Sequence, residues 1–434
     1  MKRLYKSKWI LPKGRTIIEN GGLLAQDGLI LDVLSQTDLE NFDTKGIEVI
    51  DFGNSVLTPG FINLHSHLQY TDIGKKQSRN FSKKLLRLAL RFKKWLVLKG
   101  QKGFVSWIVD LMTEYLCWTE EEKLESFKNG LNQVLLSGTT TIAQLSWEEM
   151  FFETLNSSPV RSYIFFEIFA DSEESSDTHF RKFTEKYERL SSECSKNVFL
   201  GISPHSLYNV HKSLWKKIAE YSRENNVLIH THFAESTEEI EWLAKGNSEI
   251  EKLHRFAGFK PLKPIPAGLD PVSYLRGLGL PWKNVILAHL NQLEDKDMAR
   301  LAELGVSVAH CPRSNMILHG KTIDANRILQ LFPNTIGLGA DSLYSNYDLN
   351  ILNEARFALK TGVELFSALD MLTINAAKAL KIDHLTGSLE KKKDADFIVF
   401  KLDDNETYSD FIAKETPDYV YISGKKVVDE KKLF

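Results

Sequence analysis

The chain has 434 residues, of which 43% are hydrophobic and 26% are charged, as in an ordinary globular protein with room for one large and one small domain. The formal net charge of −2 excludes an overall field that would recruit nucleic acid or an acidic membrane surface, so neither is expected as a partner. Three widely spaced cysteines and the lack of any long apolar run exclude a disulfide framework, a secretion signal and a membrane span, so we expect a cytoplasmic protein.

Short extended segments occur at both ends of the chain. Glycine and asparagine clusters separate those of the N-terminal part. The segments are residues 15–18, 29–33, 46–51, 395–401 and 419–428. Neither end is large enough to bury a core by itself. We therefore predict a small composite β-sandwich domain that is formed by residues 1–57 and 386–434.

The middle of the chain, residues 58–385, alternates short apolar runs with longer helical patterns. The eight runs are residues 60–67, 139–145, 161–169, 198–205, 227–233, 285–290, 306–311 and 335–341. Apolar strands that alternate with helices are typical of a parallel sheet. The pattern predicts an α/β fold, a (β/α)₈ TIM barrel, with an open doubly wound sheet as the alternative.

Two long insertions interrupt this alternation, at residues 72–120 and 238–280. The first has no acidic residue from 73 to 109, and its Leu85, Leu88, Phe92 and Trp95 recur at helical spacing. Its basic residues are Lys75, Lys76, Arg79, Lys83, Lys84, Arg87, Arg91, Lys93, Lys94, Lys99 and Lys102. Three interpretations stay open: a solvated basic helix face, a lid that attracts an anionic substrate group through residues such as Arg87 and Arg91, and a membrane-binding surface.

Histidines and one aspartate stand at the ends of the predicted strands. They are His65, His67, His205, His230, His232, His289 and Asp341. A lone histidine on a strand is more often a packed core residue than a ligand. Residues i and i+2 of a strand point to the same face, however, and barrel enzymes keep their active sites at the C-terminal ends of the strands. Together these residues predict a three-histidine, one-aspartate shell for zinc or iron(II).

The order of the motifs around these residues resembles that of the amidohydrolase superfamily, in the subgroup of adenosine-type, guanine and triazine deaminases and chlorohydrolases. The matching segments are TPGFINLHSH (58–67), SPH (203–205), IHTHFAE (229–235), AH (288–289), HCPRSN (310–315) and GAD (339–341). They extend over most of the chain. The resemblance implies a metal-dependent hydrolase acting on C–N bonds.

The resemblance also assigns roles. It implies that His65, His67, His232 and Asp341 bind the metal and that Asp341 also accepts a proton from water. Glu235 is implied as the proton shuttle, His289 as the residue that orients the attacking water, and His205 as a substrate contact. Binuclear members carry a lysine at the end of strand four, where this chain ends with Ile202-Ser-Pro-His205. We therefore expect one divalent metal, zinc in the first place and iron(II) as the alternative.

Other residues receive structural expectations. Cys311 and His310 are expected to pack, His230 to support the site, and Arg313 and Asn315 to be possible substrate contacts. Five more histidines lie in predicted loops or helices and are expected to be incidental. They are His179, His211, His254, His319 and His384.

Within the subgroup, four segments resemble aminofutalosine deaminases most. They are LHSHLQYTD (64–72), THFAESTEEIEW (231–242), DSLYSN (341–346) and LNEAR (352–356). This resemblance implies conversion of 6-amino-6-deoxyfutalosine to futalosine and ammonia, a step of menaquinone biosynthesis. The alternatives are a deaminase of S-adenosylhomocysteine, methylthioadenosine or adenosine, a guanine deaminase or chlorohydrolase, and a non-catalytic binding relative. The expected partner is a small nucleoside, and a homodimer is one expected assembly.

Overall fold

The computed structural model describes residues 1–75, 78, 80–264 and 267–433. The strands within these ranges are β1 (Lys2–Ile10), β2 (Ile18–Gln26), β3 (Leu29–Leu34), β4 (Glu48–Asp51), β5 (Ser55–Pro59), β6 (Phe61–Ser66), β7 (Thr139–Ser146), β8 (Arg161–Ile168), β9 (Val198–Pro204), β10 (Ile229–Phe233), β11 (Val285–His289), β12 (Ser307–His310), β13 (Ile336–Leu338), β14 (Phe397–Lys401), β15 (Tyr419–Ile422), β16 (Lys425–Asp429) and β17 (Lys432–Leu433). The helices are α1 (Gln36–Glu40), α2 (Phe81–Leu98), α3 (Phe104–Leu116), α4 (Glu120–Leu136), α5 (Phe152–Asn156), α6 (Glu173–Glu193), α7 (Lys212–Asn225), α8 (Thr237–Lys245), α9 (Ile250–Ala257), α10 (Pro271–Arg276), α11 (Asp295–Ala302), α12 (Pro312–His319), α13 (Ala325–Leu331), α14 (Ile351–Lys360), α15 (Leu365–Leu372) and α16 (Ile374–Ala379).

Strands β6 to β13 form one parallel eight-stranded sheet in sequential order. The first and last strands approach each other at Ser66 and Asp341, which form a parallel bridge. The amide of Asp341 donates to the carbonyl of His65 over 2.9 Å, and the amide of His67 donates to the carbonyl of Asp341 over 3.0 Å. These bonds nearly close the sheet, which confirms the predicted barrel and excludes the open doubly wound sheet.

The helices around the barrel begin where the sequence places capping residues. In α4 the Thr119 hydroxyl accepts from the amide of Glu122 over 3.2 Å, while the Glu122 carboxylate accepts from the amide of Thr119 over 2.9 Å. This reciprocal cap satisfies two backbone donors that the first turn leaves without helical partners. It fixes the start of the helix that leads into the second barrel strand.

The two ends of the chain join in a separate nine-stranded mixed sheet, as the composite domain requires. Its order is β17-β16-β15-β14-β5-β1-β2-β3, with β4 beside β1, and β14 pairs with β5 in antiparallel register. Strand β5 contains the boundary that the sequence places between residues 57 and 58. The rings of Tyr5, Phe397 and Tyr421 form the core of this sheet, with centroids 4.4 to 5.1 Å apart.

The first terminal strand lies earlier than the extended segment expected at residues 15–18. Strand β1 carries Lys2, Arg3, Lys6 and Lys8, so a search for apolar runs does not detect it, although Leu4, Tyr5, Ser7 and Ile10 are buried. The side chains of these basic residues project from the sheet while the strand buries the residues between them. The prediction of a strand at 15–18 is therefore wrong in position.

A buried ion-pair cluster attaches the terminal sheet to the barrel. Arg161, the first residue of β8, is fully buried and pairs with both Asp394 and Asp396. Asp396 also accepts hydrogen bonds from the Thr386 hydroxyl over 2.9 Å and the Ser423 amide over 2.7 Å. The cluster lies at the start of a barrel strand, so the sheet leaves the opposite, C-terminal mouth free.

The insertion at residues 72–120 forms helices α2 and α3, and α2 confirms the predicted helix. Large apolar side chains of α2 point outward, beside exposed basic residues such as Lys84 and Lys93. Lys76 and Arg79 of the basic set lie outside the described residues. Among the helices of the described ranges, none has the length and apolar character needed to cross a membrane.

Candidate metal centre and active site

The four predicted metal ligands converge at the C-terminal mouth of the barrel. His65 lies in β6, His67 directly follows that strand, His232 lies in β10 and Asp341 follows β13. The rings of His65, His67 and His232 have centroids 4.9 to 5.4 Å apart, and the Nε2 atoms of His67 and His232 are 3.2 Å apart. The period of two along β6 and β10 aims these rings at one point.

The donor atoms of this group fit a divalent metal. One ligand atom each from His65, His67 and Asp341 lies within 4.8 Å of the others. Neither ring nitrogen of the fully buried His65 has a hydrogen-bond partner among the described residues. Buried polar atoms without partners are costly, so this ring calls for a ligand. Imidazole nitrogens and a carboxylate oxygen are a donor set that zinc and iron(II) accept.

Asp341 is held so that one of its oxygens stays available. Its Oδ2 accepts hydrogen bonds from the Ser314 hydroxyl over 2.6 Å and the Ser345 hydroxyl over 2.8 Å. Its Oδ1 faces the histidines, at 3.7 Å from His65 Nε2 and 3.9 Å from His67 Nε2. The backbone of Asp341 has a φ of +58°, a left-handed conformation that costs energy for a non-glycine residue and clusters at functional sites.

Burial keeps the histidines neutral, as metal binding requires. Burial lowers the pKa of His67 to about 3, although Asp341 opposes that shift. Burial and the neighbouring His232 lower the pKa of His65 well below its usual value. Burial, with a further contribution from His289, also lowers the pKa of His232. Each ring can therefore present a lone pair without first losing a proton.

Backbone and side-chain acceptors orient two of the rings. His232 Nδ1 lies 2.8 Å from the carbonyl oxygen of His205 and is assigned as the donor, which leaves the Nε2 lone pair for the site. His289 Nδ1 lies 2.9 Å from Asn315 Oδ1 and is assigned in the same way. One ligand atom each from His65, His232 and His289 lies within 4.8 Å of the others. His289 Nε2 is thus an acceptor beside the ligands.

Glu235 enters the same cavity from the turn after β10. Its Oε1 lies 3.5 Å from His319 Nε2. Burial opposes ionisation, but His289, His319 and His232 outweigh it and lower the pKa of Glu235 to about 2. The buried carboxylate of Glu239 accepts from the amides of Ala234 and Glu235, each over 3.1 Å, and so fixes this turn. His319, expected to be incidental, therefore contacts a predicted catalytic residue, because α12 returns over the mouth of the barrel.

His205 also lines the cavity, and its orientation makes it a hydrogen-bond donor. Its Nδ1 accepts from Asn209 Nδ2 over 3.2 Å and lies 3.1 Å from the Ser206 hydroxyl. The proton is therefore assigned to Nε2. Phe169 packs against the ring with centroids 5.0 Å apart, which holds it in place.

Aromatic and apolar side chains form the walls around these polar groups. They come from the turn after β6, from α3 and from the turns after β7 and β9. They are Tyr70, Phe104, Trp107, Ile108, Leu111, Trp147 and Tyr208. Trp107 stacks on Tyr344, with centroids 5.5 Å apart. A cavity with apolar walls and a few convergent polar groups is typical of a small-molecule site.

Glu167, near the end of β8, is a cavity residue that the sequence interpretation missed. It is 6% exposed, and its Oε1 has no hydrogen-bond partner among the described residues. Burial, together with the charge of Glu148, raises the pKa of its carboxyl to about 8. One of its oxygens lies within 4.8 Å of ligand atoms of His67 and His232. The signal was a single glutamate in the apolar second half of a strand, since such a group is seldom buried without a task.

Several other expected residues face elsewhere. Arg87 and Arg91, named as candidates to attract an anion, both pair with Glu114, over 2.7 and 3.2 Å, and do not line the cavity. Arg313 pairs with Asp348 over 2.8 Å. Asn315 orients His289, as described above, which gives the motif at residues 310–315 a positioning task.

Two further residues behave as packing or support. His230 Nε2 lies 3.0 Å from the carbonyl oxygen of Leu64 and so ties β10 to β6 across the barrel. Cys311 is fully buried, and its thiol lies 3.8 Å from the carbonyl oxygen of Ala309. Burial raises the pKa of this thiol well above its usual value, so it stays protonated.

Comparison with known proteins places this geometry in a family. The chain is 26% identical to a 5-methylthioadenosine/S-adenosylhomocysteine deaminase of Thermodesulfovibrio yellowstonii over 410 residues, which cover 89% of this chain and 81% of the relative. It has the fold of Helicobacter pylori aminofutalosine deaminase in complex with methylthio-coformycin (TM-score 0.80, 20% identity, 98% and 100% covered). It also has the fold of a zinc-bound adenosine deaminase from Xanthomonas campestris (TM-score 0.74, 20% identity, 100% and 94% covered). The model of the amidohydrolase family matches residues 56–427, and the chain therefore belongs to this family of hydrolases.

Proposed function

We propose that this protein is a metal-dependent aminohydrolase that replaces the 6-amino group of an adenine nucleoside derivative with oxygen. The observation that carries the proposal is the convergence of His67, His232, Asp341 and Glu235 in one apolar-walled cavity, with a ring nitrogen of the buried His65 within 4.8 Å of ligand atoms of His67 and Asp341. His65, His67, His232 and Asp341 would hold one divalent metal, for which zinc is proposed. When bound, such a cation supplies a nucleophilic hydroxide at neutral pH.

The remaining steps belong to the side chains of the chain itself. His289 Nε2, oriented by Asn315, accepts a hydrogen bond from the attacking water and aligns it with C6 of the ring. Glu235, ionised in the free enzyme, accepts a proton and delivers it to the ring nitrogen next to C6. A C6–O bond forms, Asp341 accepts the second proton of the water and passes it to the amino group, and the C6–N bond breaks with release of ammonia. Positioned acid–base groups of this kind contribute about 10²–10⁴-fold.

The walls of the cavity suit a purine. Its flat apolar faces match the aromatic side chains of Tyr70, Trp107 and Trp147. His205 Nε2 offers a proton to an acceptor nitrogen of the ring. Glu167 offers a buried oxygen, which has no partner within the described part of the chain, to a hydroxyl donor that a ribose would supply.

Within this class we propose 6-amino-6-deoxyfutalosine as the substrate. The proposal rests on the resemblance of the segments around His67, Glu235 and Asp341 to aminofutalosine deaminases and on the fold that the chain shares with the Helicobacter pylori enzyme. A specific observation favours a second candidate, methylthioadenosine or S-adenosylhomocysteine, because the curated relative from Thermodesulfovibrio yellowstonii bears that name.

Ammonia release from a panel of substrates tests both candidates. Zinc-loaded and iron(II)-loaded protein would be incubated with 6-amino-6-deoxyfutalosine, methylthioadenosine, S-adenosylhomocysteine, adenosine and guanine. We expect kcat/KM for the first to exceed the others by at least about tenfold, a difference of about 1.4 kcal/mol in transition-state binding. A reversed order would select the second candidate. Loaded protein that is inert on every adenine compound would support a non-catalytic relative.

A further inference from the structure

Helix α2 of the insertion turns its most apolar face away from the protein. The large side chains on this face are exposed, among them Phe81 (75%), Leu88 (64%) and Trp95 (63%). They recur every three or four residues and form one stripe along the helix. The outer stripe consists of Phe81, Leu85, Leu88, Phe92, Trp95 and Leu96. Phe92 and Trp95 stack on each other, with ring centroids 5.9 Å apart.

The opposite face of α2 is held by charges. Arg87 is buried and pairs with Glu114 of α3 over 2.7 Å. Lys94 pairs with Asp110 of α3 over 2.6 Å. The inner face thus combines these ion pairs with Leu90, Val97 and Leu98, which pack against the protein core, while the largest hydrophobic side chains of the helix point outward, unlike those of an ordinary surface helix. Contiguous exposed apolar surface of this kind marks a site of interaction.

The charges beside the outer stripe identify what covers it. No aspartate or glutamate occurs from residue 73 to 109. Lys84 and Lys93 are exposed, and the helix continues into the exposed Lys99. Every charge bordering the stripe within α2 is therefore positive. A symmetric contact with α2 of a second copy would bring these like charges together, whereas an anionic surface would neutralise them.

We propose that the outer stripe and its flanking lysines form a docking surface for an anionic phospholipid bilayer. Helices with Phe, Leu and Trp on one side and Lys or Arg beside them lie in the plane of the interface, with the apolar side chains between the lipid headgroups. The lysine stems extend along the apolar surface and place their ammonium groups at the lipid phosphates. Each such cation contributes about 1 kcal/mol to binding near an anionic surface.

This proposal departs from the expectation, drawn from the net charge, that the protein does not bind an acidic membrane surface. The formal net charge of −2 is the sum over 55 basic and 57 acidic residues of the whole chain. It does not reveal that α2 concentrates basic residues on one helix. The surface is also separate from the catalytic cavity. The salt bridges of Arg87 and Lys94 connect α2 to α3, whose Phe104 and Trp107 line that cavity.

Flotation with lipid vesicles tests the proposal on the full, metal-loaded protein. One vesicle population contains equal parts phosphatidylglycerol and phosphatidylcholine, and the other contains phosphatidylcholine alone. We expect flotation with the anionic vesicles only, weakened by salt because the charges are exposed. Fluorescence of Trp95, obtained as the difference between the protein and Trp95→Phe, should shift to shorter wavelength on binding.

Matched variants distinguish a contribution of the outer stripe to lipid binding from a general effect of substituting exposed residues. Leu88→Ser with Phe92→Ser should lower the bound fraction at least about tenfold, and Lys84→Glu with Lys93→Glu should do the same. Leu29→Ser with Val49→Ser, which alters two exposed side chains of the terminal sheet, should bind like the wild type. Circular dichroism and Tm would verify that each variant is folded.

Three results would overturn the proposal. The first is equal flotation with neutral vesicles. The second is no flotation together with a dimer that dissociates in the Leu88→Ser, Phe92→Ser variant, which would assign the stripe to a second copy. The third is no flotation and no such dimer. None of these results depends on the proposed function, because flotation and oligomeric state are measured without any assay of deamination.

Discussion

The strand ends of the barrel and the 72–120 insertion both border the cavity, but their side chains are fixed in different ways. At the strand ends several rings have a specific hydrogen-bond partner, such as the carbonyl of His205 for His232 or Asn315 for His289. In the insertion, Trp107 is held by stacking and α2 is held by ion pairs with α3. The barrel thus supplies defined directions for chemistry, while the insertion supplies an aromatic wall of the cavity and an outer surface.

Removal of one ligand tests the barrel side of this comparison with the largest expected effect. His232→Ala should lose the metal and lower kcat by about 10⁴-fold or more, because no other group lowers the pKa of water comparably. Metal analysis and ammonia release would be measured together. His384→Ala, which changes an exposed histidine, is the control and should keep both. Full activity in metal-free His232→Ala would contradict the assigned site.

Glu235→Gln separates the proton carrier from the metal site. The amide cannot carry the proton, so kcat should fall by about 10²–10⁴-fold while the metal content stays unchanged. Glu241→Gln, in the following helix and paired with Lys245 at the surface, is the matched control. Equal losses of metal and activity in Glu235→Gln would mean that this carboxylate has a structural task instead.

The two tryptophans of the insertion test the other side of the comparison. Trp107→Ala should raise KM by about tenfold, because it removes an aromatic wall of the cavity. Trp95→Ala should leave KM unchanged in the absence of lipid, because Trp95 lies on the outer stripe. Steady-state kinetics with the substrate selected from the panel measures both. Equal increases of KM in the two variants would mean that α2 contributes to the wall of the cavity as well as α3, which would contradict the separation of the two surfaces.

The smallest expected effect concerns Glu167 in metal-free protein. Burial raises its pKa from 4.5 to about 8, so the folded state holds this proton more tightly than the unfolded state. The resulting stability is complete below pH 4.5 and is lost as the pH rises through 8. Glu167→Gln does not titrate, so the Tm of the wild type should fall by a few degrees relative to this variant between pH 5 and 8. Glu185→Gln, which changes an exposed carboxylate, should follow the wild type.

The sequence by itself determined the barrel and the convergence of its ligands. Each of the eight apolar runs overlaps one barrel strand. The reason is that alternation along a strand fixes the direction of each side chain, so His65 and His67 had to share a face once the strands were parallel. The family resemblance added the roles, which remain proposals.

Only the tertiary structure decided which partners the remaining groups meet. It brought His319 to Glu235, Asn315 to His289, and Arg87 to Glu114, because each pair joins elements that are far apart along the chain. It also placed the buried carboxyl of Glu167 in the cavity. The orientation of α2 depended on tertiary contacts as well, since helical spacing defines a face but not its direction. The carboxylates of α3 hold Arg87 and Lys94 inward and leave the outer stripe exposed.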